Sequence, residues 1–385
     1  MDYRYLWAAL FGSVIAYISL NTTIEMVAFS SLIFLAYFFI EKRSYLFFII
    51  FSYHVVASYG ILFGISTFYT SGYILGFLSW LFVIIATTLP WILIWSKYMK
   101  KRALLFPFVL MVTILPPIGF IEAANPIVSA GLFFPGTGYF GIVLYIATLY
   151  LLVFLSSKYM PGFKKWIFNI SLISLYTMTG CDIKPLNTSN FITPVQTQYS
   201  FSHRNTFIDQ KREKDLFKKI KNMRVDTILL PENILGSFSK EHMQLWRKLP
   251  HNKTVLAGAS IYDSTHKKYD NVLLSINHQG YKVLYVQRIP IPFSMWIPFS
   301  DSKANARISS TELVSFQKKQ LGILICYEQY LPYIYLETMW KKPDYLIATS
   351  NLWWSSSTII SRAQKYYLIL WSRLFGIPYF YAVNY

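Results

Sequence analysis

The pattern of apolar and polar positions changes near residue 180. Before that point long apolar runs follow one another with short polar breaks, whereas after it short apolar runs alternate with polar segments. A membrane-spanning helix needs roughly 20 mostly apolar residues. The first part of the sequence therefore predicts a polytopic α-helical membrane domain over residues 1–180, with about seven transmembrane helices near 5–20, 24–40, 45–65, 72–95, 103–122, 138–156 and 166–180.

The second part, residues 181–385, has the pattern of a layered α/β domain. A polar helix is predicted at 209–223 and a second helix at 361–376, and the short apolar runs around them predict strands. Alternating strands and helices over roughly 200 residues are typical of one α/β domain. The predicted strands are 191–198, 226–233, 253–263, 268–277, 282–292, 321–328, 343–354 and the final PYFYAVNY.

Basic residues indicate an orientation for the predicted membrane domain. All ten Lys and Arg residues of the first 180 lie at the N-terminus or in every second loop, while the loops around 21–24, 66–71 and 123–137 have none. The positive-inside rule places the basic loops in the cytoplasm. Seven spans then predict a multi-pass protein of the bacterial inner membrane whose domain 181–385 is periplasmic.

The net charge of +18 indicates an acidic partner. Because the basic residues of the second domain are scattered, we expect contact with anionic lipid headgroups and no nucleic-acid partner. The two cysteines, Cys181 and Cys326, have no spacing typical of a metal site, so neither a metal nor a cofactor is expected. All six histidines precede Cys326, and GxSxG and HExxH are missing from the sequence, which argues against papain-like, serine and zinc hydrolases.

Three polar residues each follow a predicted apolar strand: Glu232 in LLPEN, Cys326 in LICYE and Asn351 in ATSN. Sites in open α/β sheets assemble at the carboxyl ends of strands. Each residue also has an ordinary structural explanation, since PEN fits a solvated turn and cysteine is among the most often buried residues. Their shared position favours a site.

These segments resemble the nitrilase, or carbon–nitrogen hydrolase, superfamily, whose catalytic triad is Glu, Lys and Cys in that order. The resemblance implies an αββα sandwich in which Glu232 is the base and Cys326 the nucleophile. Tyr327 and Glu328 continue the family's pattern after the cysteine. With apolar helices ahead of this domain, and with SNLWW and YAVNY in its last part, the chain is similar to apolipoprotein N-acyltransferases, and Asn351 lies in the first of these two segments.

The triad's lysine is missing at the matching position. The segment that corresponds to the lysine motif is YVQRIPIPFSMW, in which Gln287 stands at the lysine position and Arg288 follows it. On a strand Arg288 faces away from Gln287. This segment is more similar to the TraB branch, which is associated with conjugal transfer. Gln287 can donate a hydrogen bond to an oxyanion through its amide, but it carries no charge.

The resemblance implies a membrane-bound acyltransferase. Cys326 would accept an acyl group from a phospholipid as a thioester and pass it to an amine acceptor, such as a lipoprotein or another envelope component. Two alternatives remain open at this point. One is a non-catalytic envelope component of a conjugation system, in which the lysine is lost because no chemistry is required, and the other is an amidase tethered to the membrane.

Overall fold

The computed structural model describes residues 3–62, 64, 73–179, 183, 186, 191–200, 206–263, 268–296, 303–308, 312–355 and 359–385. The chain divides into two compact units built from separate segments. We call them the helical unit (Met1–Leu186, Tyr330–Tyr335 and Ser357–Gly376) and the sheet unit (Asn187–Gln329, Leu336–Ser356 and Ile377–Tyr385). Cys181 and the loop 66–71 lie outside the described residues.

Helices form at every apolar run of the first half. Short 3-10 helices cover Ile24–Ser30, Ile118–Phe120, Pro126–Ser129 and Cys326–Tyr330. The α-helices are α1 (Tyr3–Asn21), α2 (Ser31–Phe39), α3 (Arg43–Ser58), α4 (Tyr73–Leu93), α5 (Met99–Ile114), α6 (Ala130–Phe133), α7 (Gly138–Tyr159), α8 (Lys164–Met178), α9 (Thr206–Lys221), α10 (His242–Trp246), α11 (Pro332–Trp340) and α12 (Ile359–Phe375).

Within the described residues of the helical unit, two helices, α4 and α7, are long and apolar enough to cross a membrane. Helix α7 exposes large apolar side chains along its length, which favours an apolar environment around it. Phe140, Val143, Leu151 and Phe154 are each more than half exposed. Length and composition therefore suit these two helices to association with a membrane.

Arg102 is one of the ten basic residues of the first half, and it has a structural role. Its side chain is only 4% exposed, and its guanidinium donates hydrogen bonds to the carbonyls of Phe38 and Ile40 at the end of α2. A helix leaves its last carbonyls without partners inside the helix, and a cation there also opposes the negative end of the helix dipole. Arg102 therefore caps α2 instead of facing outward from a loop.

Two mixed β-sheets form the sheet unit, which confirms the predicted α/β organisation. The first sheet has the order β1–β2–β3–β4–β5, with β6 beside β4, and the second has the order β10–β9–β8–β7. The strands are β1 (Thr193–Pro194), β2 (Thr227–Leu229), β3 (Thr254–Asp263), β4 (Lys268–Ile276), β5 (Tyr281–Val286), β6 (Lys303–Ala304), β7 (Val314–Phe316), β8 (Lys319–Ile325), β9 (Tyr345–Asn351) and β10 (Tyr379–Asn384).

The faces of the two sheets that pack on each other share one apolar core. Side chains alternate between the faces of a strand, so β2 sends Leu229 into this core and Ile228 to the other face, against α9 and α10. Strands buried on both faces explain the unbroken apolar runs of the sequence. The shared core contains Leu229, Leu256, Leu273, Tyr285, Leu321, Ile323, Ile325, Cys326, Ile347, Phe380 and Ala382 together with Ile192.

Parallel pairing brings strand ends together. Strand β8 is parallel to β9, which is parallel to β10, and β2 is parallel to β3. Parallel strands end at the same edge of their sheet, so the residues that follow β8 lie beside the end of β9. Cys326 follows β8 directly, and Asn351 is the last residue of β9.

The turn that carries Glu232 passes directly over Gly258 of β3. A Cβ atom at Gly258 would lie 2.5 Å from Glu232 Cα and 2.4 Å from the Asn233 backbone nitrogen. The backbone N–H of Gly258 also donates a hydrogen bond to the Pro231 carbonyl, at 3.2 Å. The absence of a side chain therefore lets the turn pack on the strand.

We predict that Gly258→Ala lowers the free energy of unfolding by about 1–3 kcal/mol, the usual cost of overpacking, because the atoms it would meet belong to the backbone. Denaturant unfolding of the purified protein measures this. Gly280→Ala is the matched control: nothing lies within 4 Å of its added Cβ, so a change within about 0.5 kcal/mol is expected. Equal effects of the two variants would contradict the packing argument.

Candidate active site

Cys326 directly follows β8 as the first residue of a 3-10 helix, and its backbone is strained. Its φ angle is +50°, a conformation that few residues other than glycine adopt. Such strain costs of order 1–3 kcal/mol and occurs often at functional sites. The side chain is 5% exposed and belongs to the core between the sheets. The backbone therefore holds a thiol in a defined, buried position.

The Cys326 thiol donates a hydrogen bond to the Glu232 carboxylate. Glu232 is 4% exposed, and its Oε2 also accepts the backbone N–H of Asn351, at 2.9 Å. The backbone N–H groups of Tyr327 and Asn351 reach the Cys326 sulfur. The structure thus brings together Glu232, Cys326, Tyr327 and Asn351, which are four of the residues selected from the sequence.

Burial governs the protonation of this pair. It raises the pKa of Glu232 from about 4.5 to about 7. The hydrogen bonds from Cys326, Asn271 and Asn351 favour the carboxylate and partly offset this rise. Burial, reinforced by the nearby Glu232 charge, raises the pKa of the Cys326 thiol well above its usual range. The resting pair near neutral pH is therefore a thiol beside a partly ionised carboxylate, which can take the thiol's proton.

Gln287 lies beside this pair, and both ends of its amide group are engaged. Its Nε2 donates to the Ile325 carbonyl at 3.0 Å, and its Oε1 accepts from Asn271 Nδ2 at 2.9 Å. The side chain is 1% exposed. Gln287 therefore links β4 to the end of β8, and its amide bonds to protein groups in this state.

Asn271 is a site residue that the sequence interpretation missed. Its Nδ2 donates to Glu232 Oε1 at 2.7 Å as well as to Gln287. It lies on β4 two positions before Leu273, on the face that packs between the sheets. A polar residue on a core-facing position of an apolar strand is the signal that could have identified it.

Glu328 anchors the backbone around Cys326. Its carboxylate accepts the N–H groups of Ile325 (2.8 Å), Arg288 (2.5 Å) and Ile289 (3.3 Å), and the hydroxyl of Tyr285 at 3.0 Å. Burial raises the pKa of Glu328, while the positive charge of Arg288 and these hydrogen bonds lower it. Glu328 thus ties the end of β5 to the end of β8.

The guanidinium of Arg288 is held by hydrogen bonds to residues near Glu328. It donates to Tyr285 Oη at 3.2 Å, to Glu337 Oε2 at 2.6 Å and to Thr338 Oγ1 at 3.2 Å. The Arg288 side chain is 5% exposed in this ion pair. The ion pair with Glu337 balances the charge of Arg288, and none of these three contacts is to Cys326. Arg288 therefore supports the turn and does not take the place of the lysine.

Two further buried amides hold the strand ends in place. Asn384 of β10 donates from Nδ2 to Asn351 Oδ1 at 2.8 Å and accepts from Thr197 Oγ1 at 2.7 Å. Gln329 donates to the carbonyls of Leu324 and Thr349, which joins β8 to β9. Among the residues with described positions, no group of three His, Cys, Asp or Glu could hold a metal ion.

Comparisons with known proteins support the sequence resemblance. No protein-family model matches the chain. A probable conjugal transfer protein TraB from Sinorhizobium fredii is 31% identical over 356 residues, which cover 86% of each protein. This chain belongs to the TraB family. The conjugal transfer protein TraB of Agrobacterium fabrum is 29% identical over 86% of this chain and 81% of that protein.

Solved structures similar to the chain come from the nitrilase superfamily. A carbon–nitrogen hydrolase from Helicobacter pylori matches half of this chain and 72% of its own, with 16% identity and a TM-score of 0.36. An amidase from Nesterenkonia matches half of this chain and 74% of its own, with 11% identity and a TM-score of 0.35. This likeness is partial, so the chemistry of the site rests on its own geometry.

The raised pKa of Glu232 predicts a pH-dependent stability. The unfolded chain releases this proton near pH 4.5, whereas the folded protein holds it up to about pH 7, so stability falls as the pH rises through that window. The loss from this group amounts to about 3 kcal/mol. We expect Glu232→Gln to remove most of this loss, measured by denaturant unfolding at pH 4.5 and pH 8. An equal pH dependence in both proteins would contradict the assignment.

Proposed function

We propose that this TraB-family protein is a membrane-bound acyltransferase that acts in conjugal transfer. Cys326 is the nucleophile and Glu232 is the general base. The observation that carries the proposal is the buried thiol–carboxylate hydrogen bond with backbone N–H groups of Tyr327 and Asn351 at the sulfur. A nucleophile paired with a base inside a donor-lined turn is the usual arrangement for covalent catalysis.

The first half-reaction forms a thioester. The Cys326 sulfur attacks the ester carbonyl carbon of a phospholipid while Glu232 takes the thiol proton. The tetrahedral intermediate collapses with cleavage of the carbon–oxygen bond, and Glu232 returns the proton to the departing lysophospholipid hydroxyl. A carboxyl group with a pKa of about 7 is suited to both transfers at neutral pH.

The second half-reaction transfers the acyl group to an amine. The acceptor nitrogen attacks the thioester carbonyl, Glu232 takes a proton from that nitrogen, and the thiol is restored when the carbon–sulfur bond breaks and the proton returns to sulfur. The acceptor is a lipoprotein N-terminus or another envelope amine. The N–H groups at the sulfur are suited to stabilise the oxyanion of both intermediates.

The apolar character of the helical unit supports the proposal of a phospholipid donor. Helices α4 and α7 have the length and composition of membrane spans, and large apolar side chains are exposed on α7. We extend this to a multi-pass protein of the bacterial inner membrane, with residues 1–180 as membrane domain and 181–385 as periplasmic nitrilase-like domain. The donor would then be the surrounding lipid.

One observation favours a non-catalytic alternative. The lysine position is occupied by Gln287, whose amide is bonded to Asn271 and to the Ile325 carbonyl. Losing one oxyanion donor costs on the order of 100- to 1000-fold in rate. In this alternative the protein is an envelope component that keeps the fold without the reaction. Mass spectrometry of Cys326, described next, distinguishes this alternative from the acyltransferase.

We expect intact-mass spectrometry of the full-length protein, incubated with phospholipid vesicles, to detect one acyl adduct on Cys326. The adduct should be released by hydroxylamine, as a thioester is, and should be lost in Cys326→Ala. Glu232→Gln should slow its formation by about 100-fold or more, within the range for loss of a general base. Gln287→Ala tests whether that amide contributes.

Cys181→Ser is the matched control because the sequence has only these two cysteines. It should keep the adduct, whereas an adduct lost in this variant would reassign the reaction to Cys181. No adduct in the parent protein, together with conjugation at the normal level in Cys326→Ala, would establish the non-catalytic alternative. A thioester formed on Cys326 from an amide donor, with release of its amine, and then passed to water and not to amines would indicate the amidase.

The proposed topology predicts which loops face outward. In a Cys181→Ser/Cys326→Ser background, a cysteine placed by Thr137→Cys should react with a membrane-impermeant maleimide added to intact cells. One placed by Lys42→Cys should react only after the inner membrane is permeabilised. Both side chains are exposed, so burial does not hide either position. The reverse labelling pattern would overturn the orientation.

A further inference from the structure

A continuous series of hydrogen bonds runs from the nucleophile's strand to the base. It begins at the Ile325 carbonyl, next to Cys326, and passes through the amides of Gln287 and Asn271 to Glu232 Oε1. The three distances are 3.0, 2.9 and 2.7 Å. We call Asn271 and Gln287 the amide bridge. Both residues are at most 3% exposed, and the protein supplies the partners of Asn271 Nδ2 and of both ends of the Gln287 amide, while Asn271 Oδ1 has no hydrogen-bond partner among the described residues.

The orientation of each amide in the bridge follows from its partners. The Ile325 carbonyl can only accept, so Gln287 must present Nε2 to it and Oε1 to Asn271. Asn271 must then present Nδ2 to Gln287, and the same nitrogen reaches Glu232. A backbone carbonyl therefore determines that Glu232 Oε1 receives an N–H donor.

A second contact fixes the bridge to the backbone. The Gln287 backbone N–H donates to the Asn271 backbone carbonyl at 2.8 Å, directly after β5 ends at Val286. The same two residues are thus bonded through both their main chains and their side chains. This geometry restricts the direction of the Asn271 amide. It therefore also restricts the position of the Glu232 carboxylate, which the amide contacts.

We propose that Asn271 is a positioning residue that holds Glu232 ready to take the Cys326 proton, and that Gln287 serves as its anchor and not as an oxyanion donor. This inference rests on the proposed function only in calling the proton transfer catalytic. The amide bridge positions Glu232 but carries no charge. A lysine at position 287 would both contact the site and place a positive charge in it. Gln287→Lys would therefore remove the acceptor that orients Asn271, and it should not restore a charged site by itself.

The bridge also sets the acidity of the base. A donor that bonds a carboxylate favours its ionised form, and such charge-assisted hydrogen bonds are roughly twice as strong as neutral ones. Asn271 opposes the rise in Glu232 pKa that burial causes. Removing its N–H group should raise that pKa further and leave less carboxylate at neutral pH to accept the thiol proton.

The test is an infrared titration of the full-length protein. The carboxylic C=O band of Glu232 is identified as the band that disappears in Glu232→Gln. We expect its midpoint near pH 7 in the parent and about one pH unit higher in Asn271→Leu, the size of one charge-assisted hydrogen bond. Asn271→Asp, which keeps the shape of the side chain, should raise it at least as much through repulsion between the two carboxylates.

Asn305→Leu is the matched control. Asn305 also donates a hydrogen bond from Nδ2 to a carboxylate, namely Asp270 Oδ1 at 2.9 Å. Asp270 directly precedes Asn271 on β4. It should leave the Glu232 midpoint unchanged. Gln287→Leu should raise the midpoint less than Asn271→Leu because Gln287 acts through Asn271. A merely structural role would lower the unfolding midpoint of the Asn271 variants without moving the titration.

The outcomes separate this inference from the proposed function. A raised midpoint in a protein that never forms a Cys326 adduct would keep Asn271 as the positioning residue and overturn the acyltransferase. An unchanged midpoint in both Asn271→Leu and Asn271→Asp, in a protein that does form the adduct, would overturn the inference alone. An adduct formed faster in Gln287→Lys would also contradict the role of Gln287 as an anchor.

Discussion

The buried hydrogen bond between Cys326 and Glu232 is the constraint on which the rest of the sheet unit depends. An ionisable carboxyl group taken out of water destabilises the fold unless its oxygens receive hydrogen bonds. Here the donors come from Asn351 at the end of β9, Asn271 on β4 and the thiol after β8. The ends of strands from both sheets must therefore meet at one point, and the glycine under the Glu232 turn permits that approach.

Two buried carboxylates, Glu328 and Glu232, have different roles in this region. Glu328 accepts three backbone N–H groups and a tyrosine hydroxyl, so its oxygens are fully used in holding β5 to β8. Glu232 has fewer fixed donors and shares one of its bonds with an exchangeable thiol proton. Environment thus separates a structural carboxylate from one that can exchange a proton near neutral pH, a common way for two acids to take different roles.

The sequence predicted eight of the ten described strands, because their apolar runs are short and end at polar residues, but it missed the short strands β6 and β7. Glu232, Cys326 and Asn351 could be selected for the same reason, since each follows or ends such a run. Asn271 could not be selected from its position in the chain, because it lies inside a strand. Its importance depends on the register between β4 and β5 and on the contact of Gln287 with the end of β8, which are tertiary facts. The capping role of Arg102 was missed for the same reason, since a helix that is remote in sequence supplies its partners.

The amide bridge defines what chemistry the missing lysine leaves possible. An ammonium group near the sulfur would favour a standing thiolate, whereas a neutral amide does not, and burial beside Glu232 disfavours the thiolate further. In the proposed reaction the nucleophile therefore forms during the attack itself, by transfer of the Cys326 proton to Glu232, and the rate depends on the placement of that carboxylate instead of on a prior charge separation. In that proposal, geometry supplies the part of catalysis that charge would otherwise supply. This is why a residue such as Asn271, which contacts only the base and its neighbour, can matter as much to the site as one that would contact the substrate.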